Sequence, residues 1–106
     1  MSTKSRHEVL VGLHVTDNDS YTSYRAAMTP ILEAAGGWFR YDFTIDQMLK
    51  GSVSPAINRL FVISFPDEPT KDRFFSDPNY VSARTKFFEP AVDLVELIAT
   101  YDHAGE

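Results

Sequence analysis

Six segments in the order strand, helix, strand, strand, helix, strand predict an α+β fold for this chain, a split βαβ arrangement with one four-stranded antiparallel sheet and both helices on one face. Three observations carry that prediction. Four short stretches are rich in β-branched and aromatic residues, and two stretches repeat apolar residues at helical spacing. Gly, Pro and Asp residues punctuate the boundaries between them.

The first strand is Val9 to Val15, VLVGLHV, closed by the turn-forming run Asp17-Asn18-Asp19-Ser20. Asn18, Asp19 or Ser20 can cap the helix that follows, whose apolar stripe is Tyr21, Tyr24, Met28, Ile31, Leu32 and Ala35. Pro30 lies inside that stripe and removes a backbone donor, so it either bends the helix near Ala26 or begins a second short one. Gly36 suits the left-handed position just past the helix end. Trp38 to Ile45 is the second strand, and Asp46 to Asn58 is a long connection containing Gly51, Ser52, Ser54 and Pro55. Leu60 to Phe65 is the third strand, stopped by Pro66. Asp67 then caps a helix with Glu68 and Pro69 in its first turn. Asp77-Pro78 restarts the helical region, Pro90 ends it, and Leu94 to Tyr101 is the last strand.

The chain has 106 residues, a length that predicts a single domain over 1–106. A hydrophobic content of 43% with 24% charged residues excludes intrinsic disorder. The net charge of −5, with no Lys/Arg cluster, speaks against a nucleic-acid partner or an anionic membrane surface. Cysteine is absent, which excludes disulfides, thiolate catalysis and cysteine-ligated metals. The polar start Met1 to Glu8 lacks the apolar core of a signal peptide. The longest aliphatic and aromatic run, Leu60 to Ile63, is far short of the roughly 20 residues that span a bilayer. A cytoplasmic protein is the expectation.

Strict alternation along each strand assigns side chains to two faces. Val9, Val11, Leu13 and Val15 form the uniformly apolar set of the first strand and belong under the helices. The same reasoning places Phe39, Tyr41, Phe43 and Ile45, then Phe61, Ile63 and Phe65, then Val95, Leu97, Ala99 and Tyr101 on the helix side. The opposite face receives Leu10, Gly12, His14, Trp38, Arg40, Asp42, Leu60, Val62, Ser64, Leu94, Glu96, Ile98 and Thr100. Left open, that face is more apolar than monomers tolerate. A second copy packed face to face about a two-fold axis relieves the problem and encloses a partly polar cavity, in which Gly12 leaves room. The expected partner is therefore the chain itself.

Several motifs resemble a known family. They are Tyr21-x-x-Tyr24-Arg25-Ala26-Ala27 with Pro30, Ala35-Gly36-Gly37, Leu49-x-Gly51, Ser54-Pro55, Leu60 through Phe65-Pro66, and Phe75-Ser76-Asp77-Pro78-x-Tyr80. Together they resemble the domain of unknown function numbered 1330, a member of the dimeric α/β-barrel superfamily of ferredoxin-like folds, over Val9 to Tyr101. The resemblance implies a βαββαβ ferredoxin-like domain that homodimerises through its sheet face. Related members of that superfamily include cofactor-independent monooxygenases, lactone isomerases and haem-binding enzymes, so the resemblance points toward a cofactor-independent isomerase or monooxygenase-like enzyme without fixing the chemistry. No residue here is a persuasive axial ligand, and the expectation is no cofactor. The second strand of such proteins often carries an Arg before the hairpin, where this chain has Asp42, with Arg40 two residues earlier. Near Phe87, where relatives often carry an Arg, the nearest cations are Arg84 and Lys86.

His14, on the cavity side of the sheet, is the candidate catalytic residue, since an imidazole titrates near neutrality and suits a general base. Arg40 can hold a carboxylate or enolate, and Asp42 can orient the imidazole. Trp38, Arg40, Asp42 and Ser64, with Arg84, make up the candidate substrate-binding set. The function expected is binding of, or action on, a small carbonyl- or carboxylate-bearing molecule in the barrel cavity. The alternative is a non-catalytic ligand-binding or structural homodimerisation module. In that alternative His14 hydrogen-bonds across the interface, Arg40 pairs with Asp42 or Glu96, and Trp38 anchors the partner. Tyr21, Tyr24 and Tyr80 read as helix-to-sheet packing with hydroxyls at the rim. Ser64 lacks the glycine pattern of a nucleophile elbow. His7 and His103 approach each other where the first and last strands pair, close to Glu8 and Asp102, yet no metal site is expected there.

Overall fold

A computed structural model describes residues 5–104, so the outermost residues of the polar start and of the polar tail Asp102–Glu106 lie outside the described part. The elements are β1 (Arg6–Val15), α1 (Asn18–Ala34), β2 (Trp38–Thr44), β3 (Arg59–Phe65), α2 (Glu68–Ser76), α3 (Pro78–Ala83) and β4 (Val92–His103). A π-helical turn, Arg84–Phe88, and a 3-10 turn, Glu89–Ala91, join α3 to β4. The four strands form one antiparallel sheet in the order β2-β3-β1-β4, as the split βαβ reading requires.

Local chemistry explains the boundaries. The α1 cap is Asp17, one residue earlier than the candidates Asn18, Asp19 and Ser20, because its carboxylate reaches back to the Ser20 amide at 3.1 Å. The helix runs unbroken through Pro30, and Thr29 Oγ1 donates to the Arg25 carbonyl at 2.6 Å one turn earlier. Gly36 takes φ of +83°, the left-handed conformation that stops α1 without a Cβ clash. Asp67 and Asp77 cap α2 and α3 by accepting from the Thr70 and Asn79 amides, each at 2.8 Å.

The core lies between the helices and one sheet face. Leu13, Met28, Leu32 and Phe65 have no solvent exposure, and an aromatic layer of Tyr21, Tyr24, Phe74, Tyr80 and Phe88 packs over them. The helices stop short of β4. Val95 and Leu97 face the helix side, yet each remains more than half exposed.

Two bulges overturn part of the expected face assignment. In β2 the pairing slips between Phe39 and Tyr41, leaving Arg40 as the extra residue. Each one-residue slip moves every later side chain to the other face. Trp38 and Phe39 keep their expected sides, but Tyr41, Phe43 and Ile45 turn to the open face and Asp42 turns beneath the helices. Asp42 therefore sits opposite Phe61, a core residue, and not on the open face. In β4 the slip at Ile98 moves Ala99 and Tyr101 to the open face and Thr100 to the helix side. The open face gains three aromatic rings by this exchange.

Leu32→Ala should lower unfolding free energy by about 2–5 kcal/mol, since a completely buried leucine leaves a cavity the surrounding rings cannot fill. Urea denaturation of the two proteins, compared at equal slope, measures it.

Candidate functional site

The connection between β2 and β3 folds back over one end of the open face. Asn58 fastens it, accepting from the Val15 amide at 2.8 Å and donating to the Val15 carbonyl at 3.0 Å. Ile57 lies over Gly12, so close that a Cβ there would stand 2.6 Å from its Cδ1. The space that Gly12 leaves is thus filled by the chain's own loop, and not by a cavity between subunits. The loop also fixes His14, whose Nδ1 is 2.6 Å from the Ala56 carbonyl oxygen. A carbonyl only accepts, so Nδ1 carries a proton, and the singly protonated ring has its lone pair on Nε2. Beside this contact is a pocket of about 370 Å³ lined by Ile45, Met48, Ile57, Leu60, Lys50 and Glu96 among others.

At the other end of the open face is a polar cluster. Arg6 stacks 3.7 Å over Trp38, donates from Nε to Ser64 Oγ at 2.7 Å, and donates to the Gly36 carbonyl at 2.9 Å. Next to it Glu8 is completely buried, with Arg40 Nε 3.0 Å from its carboxylate. The Arg40 N–H is not aimed along that line, so neither Glu8 oxygen receives a well-directed hydrogen bond among the described residues. Tyr101 adjoins them, and its pKa is raised first by burial and then by the neighbouring Glu8 carboxylate. Arg40 thus pairs with Glu8, rather than with Asp42 or Glu96.

Asp42, on the helix side, bridges two arginines. Arg59 approaches bidentately, with Nε and Nη2 each 3.0 Å from its oxygens, and Arg25 donates to Oδ2. Arg25 also lies 3.6 Å over the Phe39 ring and bonds the Tyr21 hydroxyl at 2.8 Å. Partial burial works to raise the Asp42 pKa, but the hydrogen bonds from Arg59 and Arg25 outweigh it and hold the carboxyl below its ordinary value.

Between the helices and the sheet is a second pocket of about 250 Å³, bounded by Val11, Phe61, Phe75, Phe88, Tyr24 and Tyr80 and reached by Arg84. Tyr24 and Tyr80 meet hydroxyl to hydroxyl at 2.9 Å. Burial raises both phenol pKa values, so both stay protonated at neutral pH. Their mutual bond consumes one of the two protons. The other is available to an acceptor. Arg84, exposed at the mouth where the π-helical turn begins, adds a positive charge that bears on Tyr80.

The candidate residues therefore do not form one constellation. His14 stands at one end of the open face, while Trp38, Arg40 and Ser64 gather at the other. Asp42 is on the opposite side of the sheet from His14 and cannot orient it. Arg84 serves the helix-side pocket. His7 and His103 fall on opposite faces of adjoining strands, and among the described residues no group of three metal-binding side chains is present. Tyr24 and Tyr80 pack between helices and sheet as expected, but their hydroxyls are buried against each other and do not reach the rim.

Residues 9–95 match the model of the family described as domain of unknown function DUF1330, and the chain belongs to that family. Its fold is ferredoxin-like, and the solved structures it resembles include the following three. A protein of unknown function from Rhodopseudomonas palustris is 19% identical with a TM-score of 0.78, over 92% of this chain and 82% of that one. A dimeric ferredoxin-like protein of unknown function from Thermobifida fusca is 10% identical with a TM-score of 0.57, over 98% of this chain and 94% of that one. SnoaB, a cofactor-independent oxygenase from Streptomyces nogalater, is 11% identical with a TM-score of 0.54, over 99% of this chain and 95% of that one. No curated protein matches the chain.

The Asp42 bridge predicts an acid-side signature. A carboxyl whose folded pKa is depressed contributes stability above its unfolded pKa of about 3.9, and that contribution is lost as pH falls through the lower folded value. Asp42→Asn should therefore be less stable than wild type at pH 7, and the difference should shrink as pH falls below the ordinary carboxylate range. Thermal unfolding followed from neutral to acid pH tests the convergence.

Proposed function

We propose that this protein is a homodimer joined through its open sheet faces, each subunit binding a compact, largely apolar molecule that bears a carbonyl or carboxylate oxygen. The ligand sits in the pocket between the helices and the sheet. The observation that carries this reading is the buried Tyr24–Tyr80 hydroxyl pair, which offers one unspent proton at the wall of an apolar cavity. A ligand oxygen accepts that proton, Arg84 meets a negative charge at the mouth, and the aromatic wall excludes water. No bound cofactor is needed for recognition of this kind. SnoaB, described as a cofactor-independent oxygenase, is an instance of this fold in a protein that works without a cofactor.

Dimerisation rests on the open face itself. Trp38, Tyr41, Phe43, Ile98 and Tyr101 are each more than a third exposed there. Large apolar side chains exposed along both edge strands of one face make that face a docking surface, and a two-fold copy covers it with the same residues. The dimeric description of the Thermobifida fusca protein points the same way.

A second reading has its own observation. The Ala56 carbonyl holds a proton on His14 Nδ1 and leaves Nε2 as the nitrogen that can accept one, so a ligand bound against His14 on the open face would meet a general base.

Sedimentation velocity at micromolar concentration should give a dimer mass, and Ile98→Lys should give a monomer with unchanged circular dichroism. A wild-type monomer removes the dimer. Small aromatic and aliphatic carboxylates screened by native mass spectrometry should yield a ligand. Arg84→Gln should weaken it by about 10-fold or more, the usual cost of losing a charged hydrogen bond. Tyr24→Phe should also weaken it. Binding that survives both changes but is lost in His14→Gln establishes the second reading instead.

A further inference from the structure

Three side chains outside both pockets stand in the relation of a hydroxyl nucleophile, its base and the group that orients the base. His7 Nδ1 lies 3.0 Å from Asp102 Oδ1, and His7 Nε2 lies 3.2 Å from Thr100 Oγ1. The β4 bulge at Ile98 makes the arrangement, because it turns Thr100 to the face that His7 occupies. A carboxylate can only accept, so Nδ1 carries the imidazole proton. With one proton on the ring its lone pair lies on Nε2, and in that form the Thr100 hydroxyl donates to it. His7 is buried, whereas Thr100 is exposed, because the helices leave this flank of β4 uncovered. Burial fixes the base, and exposure admits a substrate to the hydroxyl.

We infer that Thr100 is an activated nucleophile able to take an acyl group from a small ester, with His7 as its general base and Asp102 as the positioning residue. A hollow of about 210 Å³ is lined by His7 and Asp102 with Arg6, Pro66, Asp67 and Glu68; Thr100 stands outside its lining, one hydrogen bond away across the His7 ring. Its three carboxylates, Asp67, Glu68 and Asp102, outnumber its one guanidinium, Arg6, and so favour neutral or cationic esters over anionic ones. In the acylation step Thr100 Oγ1 bonds to the ester carbonyl carbon while its proton passes to His7 Nε2. The carbon–oxygen bond to the leaving alcohol then breaks, and that oxygen takes the proton back from Nε2. Water attacks the acyl-threonine in the same way, giving a carboxylic acid and restoring the hydroxyl. No oxidant or reductant is involved.

The probe is 4-nitrophenyl acetate with the full chain. Nitrophenolate release should begin with a burst, and peptide mapping should find one acetyl group on Thr100. Thr100→Val, an exposed change of similar shape, should abolish the burst while leaving the unfolding curve in place. His7→Gln should slow acylation by about 100-fold, the ordinary worth of a positioned base. Asp102→Asn should slow it as well, and Asp102→Glu should restore most of the rate. Acetylation found only on lysines, or on Thr100 at equal rate in folded His7→Gln, overturns the inference. So does a burst that survives Thr100→Val.

Discussion

Strict alternation of side chains is the constraint on which this molecule's surfaces depend, and two extra residues reset it. Arg40 in β2 and Ile98 in β4 each oppose no partner of their own, so the strand beyond each one presents its other edge. The exchange sends Tyr41, Phe43 and Tyr101 outward and brings Asp42 and Thr100 to the helix side. Both consequences are chemical. The open face becomes aromatic enough to require a cover, and the helix side acquires a carboxylate between two arginines and a hydroxyl against an imidazole.

The bulged residue Arg40 also explains how a carboxylate survives in the middle of a sheet. Glu8 has no exposure, and an isolated buried carboxylate is expensive. Arg40 supplies the countercharge at 3.0 Å, while Tyr101 and Arg6 close the sides. Such a pair adds little net stability compared with apolar residues of the same volume, but removing either partner strands the other charge. It is therefore a fixed polar landmark within an otherwise apolar sheet face.

Much of the fold was legible in the chain because its determinants are local. Gly36, Asp67 and Asp77 act within a turn of their own positions, and the strand and helix stretches announce themselves by period. The bulges left no such mark. A slip between Phe39 and Tyr41 depends on how β2 meets β3, whose residues lie far along the chain, so Asp42 was assigned to the wrong face. The partner of His14 was hidden for a related reason: it is a backbone carbonyl, and every residue has one. Antiparallel pairing of the first and last strands did bring His7 near Asp102 in the sequence reading. Thr100 was missed there, since its orientation turns on Ile98.

The same irregularities govern what happens at the sheet's margins. β2 and β4 are the outer strands, and each offers unpaired amides and carbonyls along one side. A flat margin of that sort invites further strands to add sideways and grow into ribbons. Arg40 interrupts one margin, and Ile98, with a second slip near Asp93, interrupts the other. The kinks spoil the regular spacing that an incoming strand needs, so growth by edge-to-edge addition is disfavoured at both margins.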